Sequence, residues 1–386
     1  MSETALLPEP KFLPELHPTY RPAIQANQAF RDSARETNSA VDVGIALEQD
    51  DGSVFHHRTV LFPSDHGLAG NNFRHVERII KFLLWQRGGW KIHLSGADDL
   101  VPQLQDYYRT NTFGKFDDDV IGVKNNGHSI EVTGCAELPR EHSEARAIGR
   151  NLNGCRIGFD LGGSDRKAAA VVDGEVKFSE EIEWDPYFEP DPDYHYQGII
   201  NSLKRAAEHL PRVDAIGGSA AGCYSHNRVT WASLFRGVEP KLFDEKVRDM
   251  FINIGQEWNV PLEVLNDGEV TALAGSMAMG KNGVLGIAMG TSQGGGYIDM
   301  NGNITTWLSE LAFAPVDMHP NAPADEWSGD LGCGAQYFSQ QAVGRLLPAS
   351  GIDYDSTLKL PEQLKIVQAL MEQGDERALK IYDAIG

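Results

Sequence analysis

Two glycine-rich turns, about 130 residues apart, constrain this chain more than any other feature. Residues 160–164 read Asp-Leu-Gly-Gly-Ser, and residues 290–296 read Gly-Thr-Ser-Gln-Gly-Gly-Gly. Each turn follows a short apolar run that is typical of a buried strand and precedes a second strand that ends in a turn of its own. Because glycine has no Cβ, such a hairpin tip lets backbone N–H groups approach an anion closely. The repeated unit therefore predicts two turns that grip the phosphates of a nucleotide from both sides.

Composition narrows the class of partner. With 386 residues, of which 41% are hydrophobic, the chain is long enough for two or three packed domains. Its formal net charge of -21 argues against nucleic acid as a main partner, because nucleic acid needs a basic surface.

The four cysteines form no Cys-x-x-Cys pair, and the N-terminus lacks the pattern of a signal peptide. No apolar stretch reaches the roughly 18 residues of a membrane span. We therefore expect a cytoplasmic protein that binds neither nucleic acid nor membranes.

Changes of pattern along the chain predict four parts. Residues 1–38 are rich in proline and polar side chains and are expected to form an extended N-terminal arm. Residues 39–150 are expected to form an accessory α/β domain. Residues 151–281 and 282–386 each begin with a strand, a glycine turn and a second strand. Alternating strands and helices predict a layered α/β fold.

The accessory domain carries its own local signals. Apolar side chains at helical spacing predict a helix from Asn72 to Gln86. Asn125-Asn126-Gly127 is typical of a hairpin turn and predicts short strands over residues 121–123 and 129–132. Because the domain lacks a glycine turn of the type found later, we expect it to serve packing or oligomerisation rather than phosphate binding.

Four segments follow one another in an order that is more specific than any of them alone. They are residues 160–164 with Lys167 close behind, residues 265–267 leading into an alanine-rich helix, residues 290–296 with Gly302, and residues 309–313. Over roughly residues 155–347 this order resembles the ROK family (repressors, open reading frames, kinases) of the actin-like ATPase and sugar kinase superfamily. The resemblance implies a duplicated actin-like ATPase (ribonuclease H-like) α/β sugar-kinase fold, here with an extra small N-terminal α/β domain.

The resemblance also implies an activity, an ATP-dependent transfer of the γ-phosphoryl group to a sugar or cyclitol hydroxyl. Asp267 would be the general base, and Asp160 would hold Mg²⁺ directly or through water. Substrate hydroxyls would be bound by Asn266, Glu310 and Asn227. The phosphates of ATP would be bound by Gly162, Gly163, Ser164, Lys167, Gly290, Thr291, Ser292 and Gly294.

Several of these residues also have a purely structural interpretation, which the sequence leaves open. Asn266-Asp267-Gly268 suits the N-cap of a helix, because Asn and Asp are favoured caps. Lys167 suits a surface charge on a strand. Glu310 suits a solvated carboxylate on a loop.

The chain departs from the family pattern at a metal site. Many ROK proteins hold a structural zinc with one His and three Cys, but residues 326–334 of this chain contain Cys333 alone, and Phe313 stands where the His is expected. Even with the nearby His319, one His and one Cys are too few for a four-coordinate site, so we expect no zinc. The change at Phe313 also removes a usual sugar contact, which favours a modified sugar or a cyclitol as substrate.

The second departure is at the end of the chain. The resemblance implies a late strand, a Gly-Gly turn that meets the adenosine and a closing helix, whereas this chain stops at Gly386 in a helical pattern. We therefore expect a second kinase subdomain that is incomplete at its C-terminus and exposes an apolar sheet edge. Besides a kinase, a non-catalytic sugar-binding pseudokinase or scaffold remains open. A ROK-type transcriptional regulator is less favoured, because residues 1–150 supply no helix-turn-helix. The resemblance further suggests a homodimer.

Overall fold

The computed structural model describes residues 6–143 and 145–386, which form two compact units. Unit 1 draws on residues 1–144, 289–294 and 307–386, and unit 2 on residues 145–288 and 295–306. Unit 1 therefore combines the early part of the chain with its last 80 residues. The four-part division that we drew from the sequence stays a prediction.

The first part of unit 1 contains a mixed sheet and several helices. In chain order its elements are α1 (Ala23–Arg35), β1 (Val41–Glu48), β2 (Val54–Leu61), α2 (Asn72–Arg87), β3 (Lys91–Ser95), α3 (Val101–Thr110), α4 (Thr112–Asp117) and β4 (Glu131–Gly134). The strand order is β2-β1-β3-β4. Strand β1 is antiparallel to both of its neighbours, whereas β3 and β4 are parallel.

Helix α2 confirms the predicted helix, and its buried Val76, Ile80 and Leu84 recur at the expected spacing. The predicted hairpin around Asn125-Asn126-Gly127 is wrong, because residues Asp118–Asn126 continue α4 as a π-helix. Gly127 adopts a left-handed conformation with φ 74° and ends this helix, so the Asn-Asn-Gly signal is a C-cap rather than a strand turn.

The region that we expected to be an extended arm also contains regular structure. Helix α1 buries Ala26, Phe30 and Ala34 on one face, at a spacing that favours an amphipathic helix. The Phe30 ring stacks on the His75 ring of α2 with 3.8 Å between centroids. The arm is therefore helical over part of its length, and it packs on the first part of unit 1.

A buried ion cluster joins helix α2 to later parts of unit 1. The Lys81 Nζ atom lies 2.9 Å from Asp117 Oδ1 and 2.9 Å from Asp330 Oδ2. Arg78 also pairs with Asp330 at 2.9 Å. Because buried charges are costly unless they are paired, this cluster holds the segment around Asp330 against the helix.

Strands and helices alternate along unit 2, which is described here together with residues 289–294. The elements are β5 (Ala145–Arg146), β6 (Cys155–Leu161), β7 (Asp165–Val172), β8 (Glu175–Glu183), α5 (Pro192–Ala207), β9 (Ala215–Ala220), β10 (Cys223–Ser225), β11 (Arg228–Trp231), α6 (Pro240–Leu242), α7 (Met250–Trp258), β12 (Leu262–Leu265), α8 (Asp267–Met279), β13 (Val284–Met289), β14 (Gln293–Ile298) and β15 (Ile304–Thr305). The larger sheet has the order β12-β9-β6-β7-β8, and a second sheet has the order β13-β14-β15-β5.

The two faces of the larger sheet differ in what covers them. Because side chains alternate along a strand, Ile157, Phe159 and Leu161 of β6 all point into one core, which α5 and α7 complete. The opposite face borders a groove of about 950 Å³, where the Cα of Gly158 faces open space. Asp160 lies on this second face, at the end of the strand.

Strand β13 lies at one end of its sheet order. Its alternate residues Leu285, Ile287 and Met289 are 56%, 45% and 62% exposed. Among the residues that the structure describes, one face of this strand is therefore apolar and exposed. That the second subdomain is incomplete stays a prediction.

The last part of unit 1 is helical, as predicted. It contains α9 (Gln340–Leu346), α10 (Leu360–Glu372) and α11 (Glu376–Ile385), which share a core formed by Val343, Leu347, Val367 and Ile381. Within the described parts of the chain, no helix has the length and apolar character that crossing a bilayer requires.

Candidate functional site

Three strands of unit 2 end at the same edge of the larger sheet. Strand β9 pairs in parallel with β6 on one side and with β12 on the other. Each carboxyl end carries a polar residue directly beside the last strand residue, namely Asp160 on β6, Ser219 on β9 and Asn266 after β12. In open α/β sheets, ligands bind outside the carboxyl ends of parallel strands, so this edge is the candidate site in unit 2.

Asp160 is held by neighbours on both of its oxygens. The Ser219 hydroxyl donates to Oδ1, and the Lys167 ammonium lies 3.5 Å from Oδ2. Lys167 faces Asp160 across the β6–β7 ladder and donates to Asp165 Oδ1 at 2.7 Å. This hydrogen bond raises the pKa of Lys167 and lowers the pKa of Asp165. Lys167 is therefore a member of the Asp160 cluster as well as a partly exposed surface charge.

Asn266 is the N-cap of helix α8, so the structural interpretation of this motif is correct. Its Oδ1 accepts from the Gly268 N–H at 2.8 Å, and its own N–H donates to Glu269 at 3.0 Å, which completes a capping box. Its Nδ2 donates to the Gly222 carbonyl at 2.8 Å. The cap fixes Asp267 as the first residue of the helix, beside the loop that follows β9.

Asp267 combines burial with an unused acceptor. Within the described part of the chain, its Oδ1 is buried and has no hydrogen-bond partner. Burial raises the pKa of Asp267 from 3.8 to about 6; its own backbone N–H lowers this pKa, and the negative charge of Asp160 adds to the rise. A buried carboxylate oxygen without a donor is costly, so a hydroxyl that reached this atom would supply the missing hydrogen bond.

Asn227 lies in the same unit, but its side chain supports the fold. Its Nδ2 donates to the Leu262 carbonyl at 2.8 Å, and its Oδ1 accepts from the Val264 N–H at 2.9 Å. Both ends of the amide thus hold strand β12, and Asn227 itself has φ 64°. Because an amide has a second N–H and a second lone pair, this role in the fold leaves the predicted binding of a substrate hydroxyl by Asn227 open, and it stays a prediction.

The first glycine turn is a tight connection between β6 and β7. The Gly162 N–H donates to the Asp165 carbonyl at 2.9 Å, and the Gly162 carbonyl accepts from the Trp184 indole at 2.8 Å. A Cβ on Gly163 would collide with the Tyr187 ring in its present position. Ser164 is exposed at the tip, where its hydroxyl donates to Asp165.

The second glycine run has two separate roles. At the tip, Gly290, Thr291 and Ser292 are exposed, and the Gly290 N–H donates to the Ser292 carbonyl at 2.9 Å. The partly buried Gly294 follows this tip inside β14. The Gly290 carbonyl in turn accepts from the N–H of Gln340, the first residue of α9, at 3.0 Å.

The later glycines of the run are needed for packing. A Cβ on Gly296 would collide with the backbone of Gly268 and Glu269, and a Cβ on Gly268 would collide with Gly295. The first turn of α8 therefore packs backbone to backbone on β14. From the sequence alone, glycines needed for this packing could not be told apart from glycines that bind phosphate.

Glu310 and Phe313 belong to unit 1. Glu310 precedes the short 3₁₀ turn Leu311–Phe313, and Ser309 before it has φ 54° and donates its N–H to Gln86 at 2.9 Å. Phe313 packs its ring 4.4 Å from the Trp85 ring. Phe313 is therefore part of an aromatic core in unit 1.

Cys333 also lies inside unit 1. It is fully buried, and burial raises the pKa of its thiol to about 12. Among the described residues, no group of three or more His, Cys, Asp or Glu side chains is arranged to hold a metal ion. That the protein binds no zinc stays a prediction.

Four residues around the first turn were not identified from the sequence: Ser219, Trp184, Tyr187 and Arg236. Ser219 and Trp184 bond directly to Asp160 and Gly162, respectively. They escaped notice because these contacts join segments that lie well apart in the chain. The one local sign in the sequence was Trp184 itself, a large aromatic residue directly after the exposed strand β8.

Known proteins resemble this chain in structure but not in sequence. No family model matches the chain, and no curated protein matches it. A crystal structure of a ROK family transcriptional regulator, described as a homolog of the E. coli MLC protein, has 19% identity and a TM-score of 0.50 over 61% of this chain and 60% of that one.

Two sugar kinases match with lower TM-scores. The ROK family glucokinase from Streptomyces griseus, solved with glucose and AMPPNP, has 22% identity and a TM-score of 0.47 over 60% of this chain and 75% of its own. The ROK hexokinase from Thermus thermophilus has 18% identity and a TM-score of 0.45 over 60% and 73%. At these identities a likeness speaks for the fold alone. Over the 61% of the chain that the regulator covers, its TM-score of 0.50 supports the α/β fold of the actin-like ATPase type that we expected.

Proposed function

We propose that this chain is an ATP-dependent carbohydrate kinase with Asp267 as its general base. The observation that carries the proposal is the Asp267 carboxylate, which has a buried oxygen without a donor and a pKa raised to about 6. A general base works best when its pKa lies near the working pH, where it is ionised yet still takes up a proton. An ordinary surface aspartate has neither property.

The proposed reaction is an in-line phosphoryl transfer. Asp267 accepts the proton of a sugar or cyclitol hydroxyl, and the hydroxyl oxygen bonds to the terminal phosphorus of ATP. The bond between that phosphorus and the bridging oxygen breaks, and ADP leaves with the electron pair. The capping box of Asn266 holds Asp267 at the start of the helix, which limits the positions that its carboxylate can take.

Asp160 is the residue of unit 2 that would hold Mg²⁺, directly or through water. A single carboxylate suits this ion, because Mg²⁺ is usually bound by one or two carboxylates, several waters and substrate phosphates. The ion would neutralise charge on the phosphates. Lys167, which lies 3.5 Å from Asp160, supplies a second positive charge at the same place.

The remaining contacts are proposed at the residues that the family resemblance implies. Gly162, Gly163 and Ser164 at the first turn, with Gly290, Thr291, Ser292 and Gly294 at the second, would bind phosphate oxygens. Asn266 and Glu310 would bind substrate hydroxyls. The homodimer that the resemblance suggests stays a prediction.

A non-catalytic carbohydrate-binding protein is the second candidate. It is favoured by the engagement of both Asp160 oxygens, by Ser219 on one side and Lys167 on the other. If these contacts persist when nucleotide is present, Ser219 and Lys167 compete with a magnesium ion for the Asp160 carboxylate.

A panel assay separates the two candidates. The full chain is incubated with Mg·ATP and, in turn, hexoses, N-acetylhexosamines and cyclitols, and release of ADP is followed with a coupled assay. A kinase releases ADP with one class of carbohydrate and forms a phosphomonoester that phosphorus NMR detects. Calorimetric binding of a carbohydrate without ADP release would favour the second candidate, and absence of both would contradict both.

A further inference from the structure

Arg236 lies against two aromatic rings beside the first glycine turn. Its guanidinium carbon is 4.4 Å from the Tyr187 ring centroid and 4.4 Å from the Phe188 ring centroid. The Arg236 side chain is exposed, and Phe188 is 74% exposed. Among the described residues, no carboxylate forms an ion pair with Arg236, whereas four of the other arginines of the same unit, Arg205, Arg212, Arg228 and Arg248, have one.

The aromatic pair is fixed to the glycine turn. Trp184, just before it in the chain, donates its N–H to the Ser164 carbonyl at 3.1 Å and its indole N–H to the Gly162 carbonyl at 2.8 Å. The Tyr187 ring lies so close to Gly163 that any Cβ at that position would collide with it. The aromatic platform, which we define as Tyr187 and Phe188, is therefore part of the turn's immediate surroundings.

The same platform is fixed to the segment that carries Arg236. Buried His195 places its Nε2 atom 3.0 Å from the Pro186 carbonyl and 2.9 Å from the Leu234 carbonyl. Since both partners are acceptors, Nε2 must carry the proton and bridge the two segments. Gly237 makes a further close contact, because a Cβ there would lie 2.6 Å from the carbonyl carbon of Phe188.

We propose that Arg236 binds an oxyanion, phosphoryl or carboxylate, that arrives at the first glycine turn. A guanidinium whose face lies on aromatic rings keeps its N–H edge for two parallel hydrogen bonds to such a group. The platform holds the side chain in place before the ligand arrives, which reduces the entropy lost on binding. The inference rests on the proposed function only in that the proposed reaction brings phosphates to this turn.

Two sources supply this chemistry, namely the terminal phosphate of the nucleotide and an acidic substituent on the carbohydrate. The test titrates the full chain calorimetrically with tripolyphosphate, with glucose 6-phosphate and with glucuronate. Three variants are compared with the wild type: Arg236→Gln, Arg236→Lys and the control Arg228→Gln. Arg228 is also an exposed arginine of unit 2, but it pairs with Asp249 at 2.8 Å.

We expect Arg236→Gln to weaken binding of at least one probe about tenfold, which corresponds to the loss of one charged hydrogen-bond pair. Arg236→Lys should restore part of the affinity, and Arg228→Gln should stay within about twofold of the wild type. Loss confined to tripolyphosphate identifies the nucleotide as the source, and loss confined to the other two probes identifies the carbohydrate.

Equal affinities of the wild type and Arg236→Gln for all three probes would overturn the inference, as would a wild type that binds none of them. The titration needs no turnover, so it remains decisive if the chain is not a kinase. Conversely, a chain that phosphorylates carbohydrate equally well with and without Arg236 would overturn this inference alone.

Discussion

At the scale of single residues, the burial of Asp267 links activity to stability. Burial raises the pKa of this carboxyl from 3.8 to about 6, so the folded state binds the proton more tightly than the unfolded state does. The free energy of unfolding therefore falls as the pH rises from about 4 to above 6. At higher pH the folded state bears the whole cost of burying the ionised Asp267 carboxylate. Asp267→Asn removes this titration.

We expect Asp267→Asn to raise the free energy of unfolding at pH 8 by roughly 1–3 kcal/mol and to leave it nearly unchanged at pH 4. Urea denaturation at the two pH values measures the difference. The matched control is Asp185→Asn, because Asp185 is an exposed aspartate of the same unit. A variant that is less stable than the wild type at pH 8 would contradict this account of the Asp267 environment.

Single residues also show how far sequence reasoning reached in the candidate site. The Asn266-Asp267-Gly268 motif identified a helix cap, because capping depends on neighbours within one turn of helix. Arg236 was not identified, since its aromatic partners lie about 50 residues earlier in the chain. Contacts between residues so far apart in the chain produce no periodicity and no local motif in the sequence.

At the scale of elements, the close packing of α8 on β14 depends on glycine. A Cβ on Gly296 would collide with Gly268 and Glu269 at the start of the helix. We expect Gly296→Ala to lower the free energy of unfolding by about 1–3 kcal/mol, because the helix would have to move away from the strand. Thermal or urea denaturation gives the value.

Gly158→Ala is the control for this substitution. Gly158 also lies in a strand of unit 2, but a Cβ there would meet no atom within 4 Å. Its stability should be unchanged or slightly higher, since alanine reduces the entropy of the unfolded chain. If both variants were equally stable, backbone contact between α8 and β14 would not be the reason for the glycine run.

Elements with strong periodicity were predicted well, and those that depend on long-range pairing were not. Helix α2 follows directly from its apolar spacing. By contrast, residues 118–126 form a π-helix where we predicted a strand. Asn-Asn-Gly favours a hairpin turn and a helix C-cap alike, because both need a left-handed glycine. The sequence around the motif therefore does not decide between them, and β4 pairs in parallel with β3 instead of forming a hairpin.

At the scale of the whole molecule, the order of motifs predicted the fold class. Two strand–turn–strand units with helices between them restrict the topology of a layered α/β chain, even though each unit alone is common. The composition of unit 1 could not be predicted in this way. It joins residues 1–144 to residues 307–386, and no local signal marks partners so distant in the chain.

The central claim is that Asp267 takes the proton of a carbohydrate hydroxyl during phosphoryl transfer. The most direct measurement is kcat for the wild type and for Asp267→Asn, with Mg·ATP and the carbohydrate that the panel assay selects. We expect kcat to fall by about 10²–10⁴-fold in the variant. The wild-type kcat/KM should also decline about tenfold per pH unit below about pH 6, where Asp267 becomes protonated. A folded Asp267→Asn variant with the wild-type kcat would contradict the account.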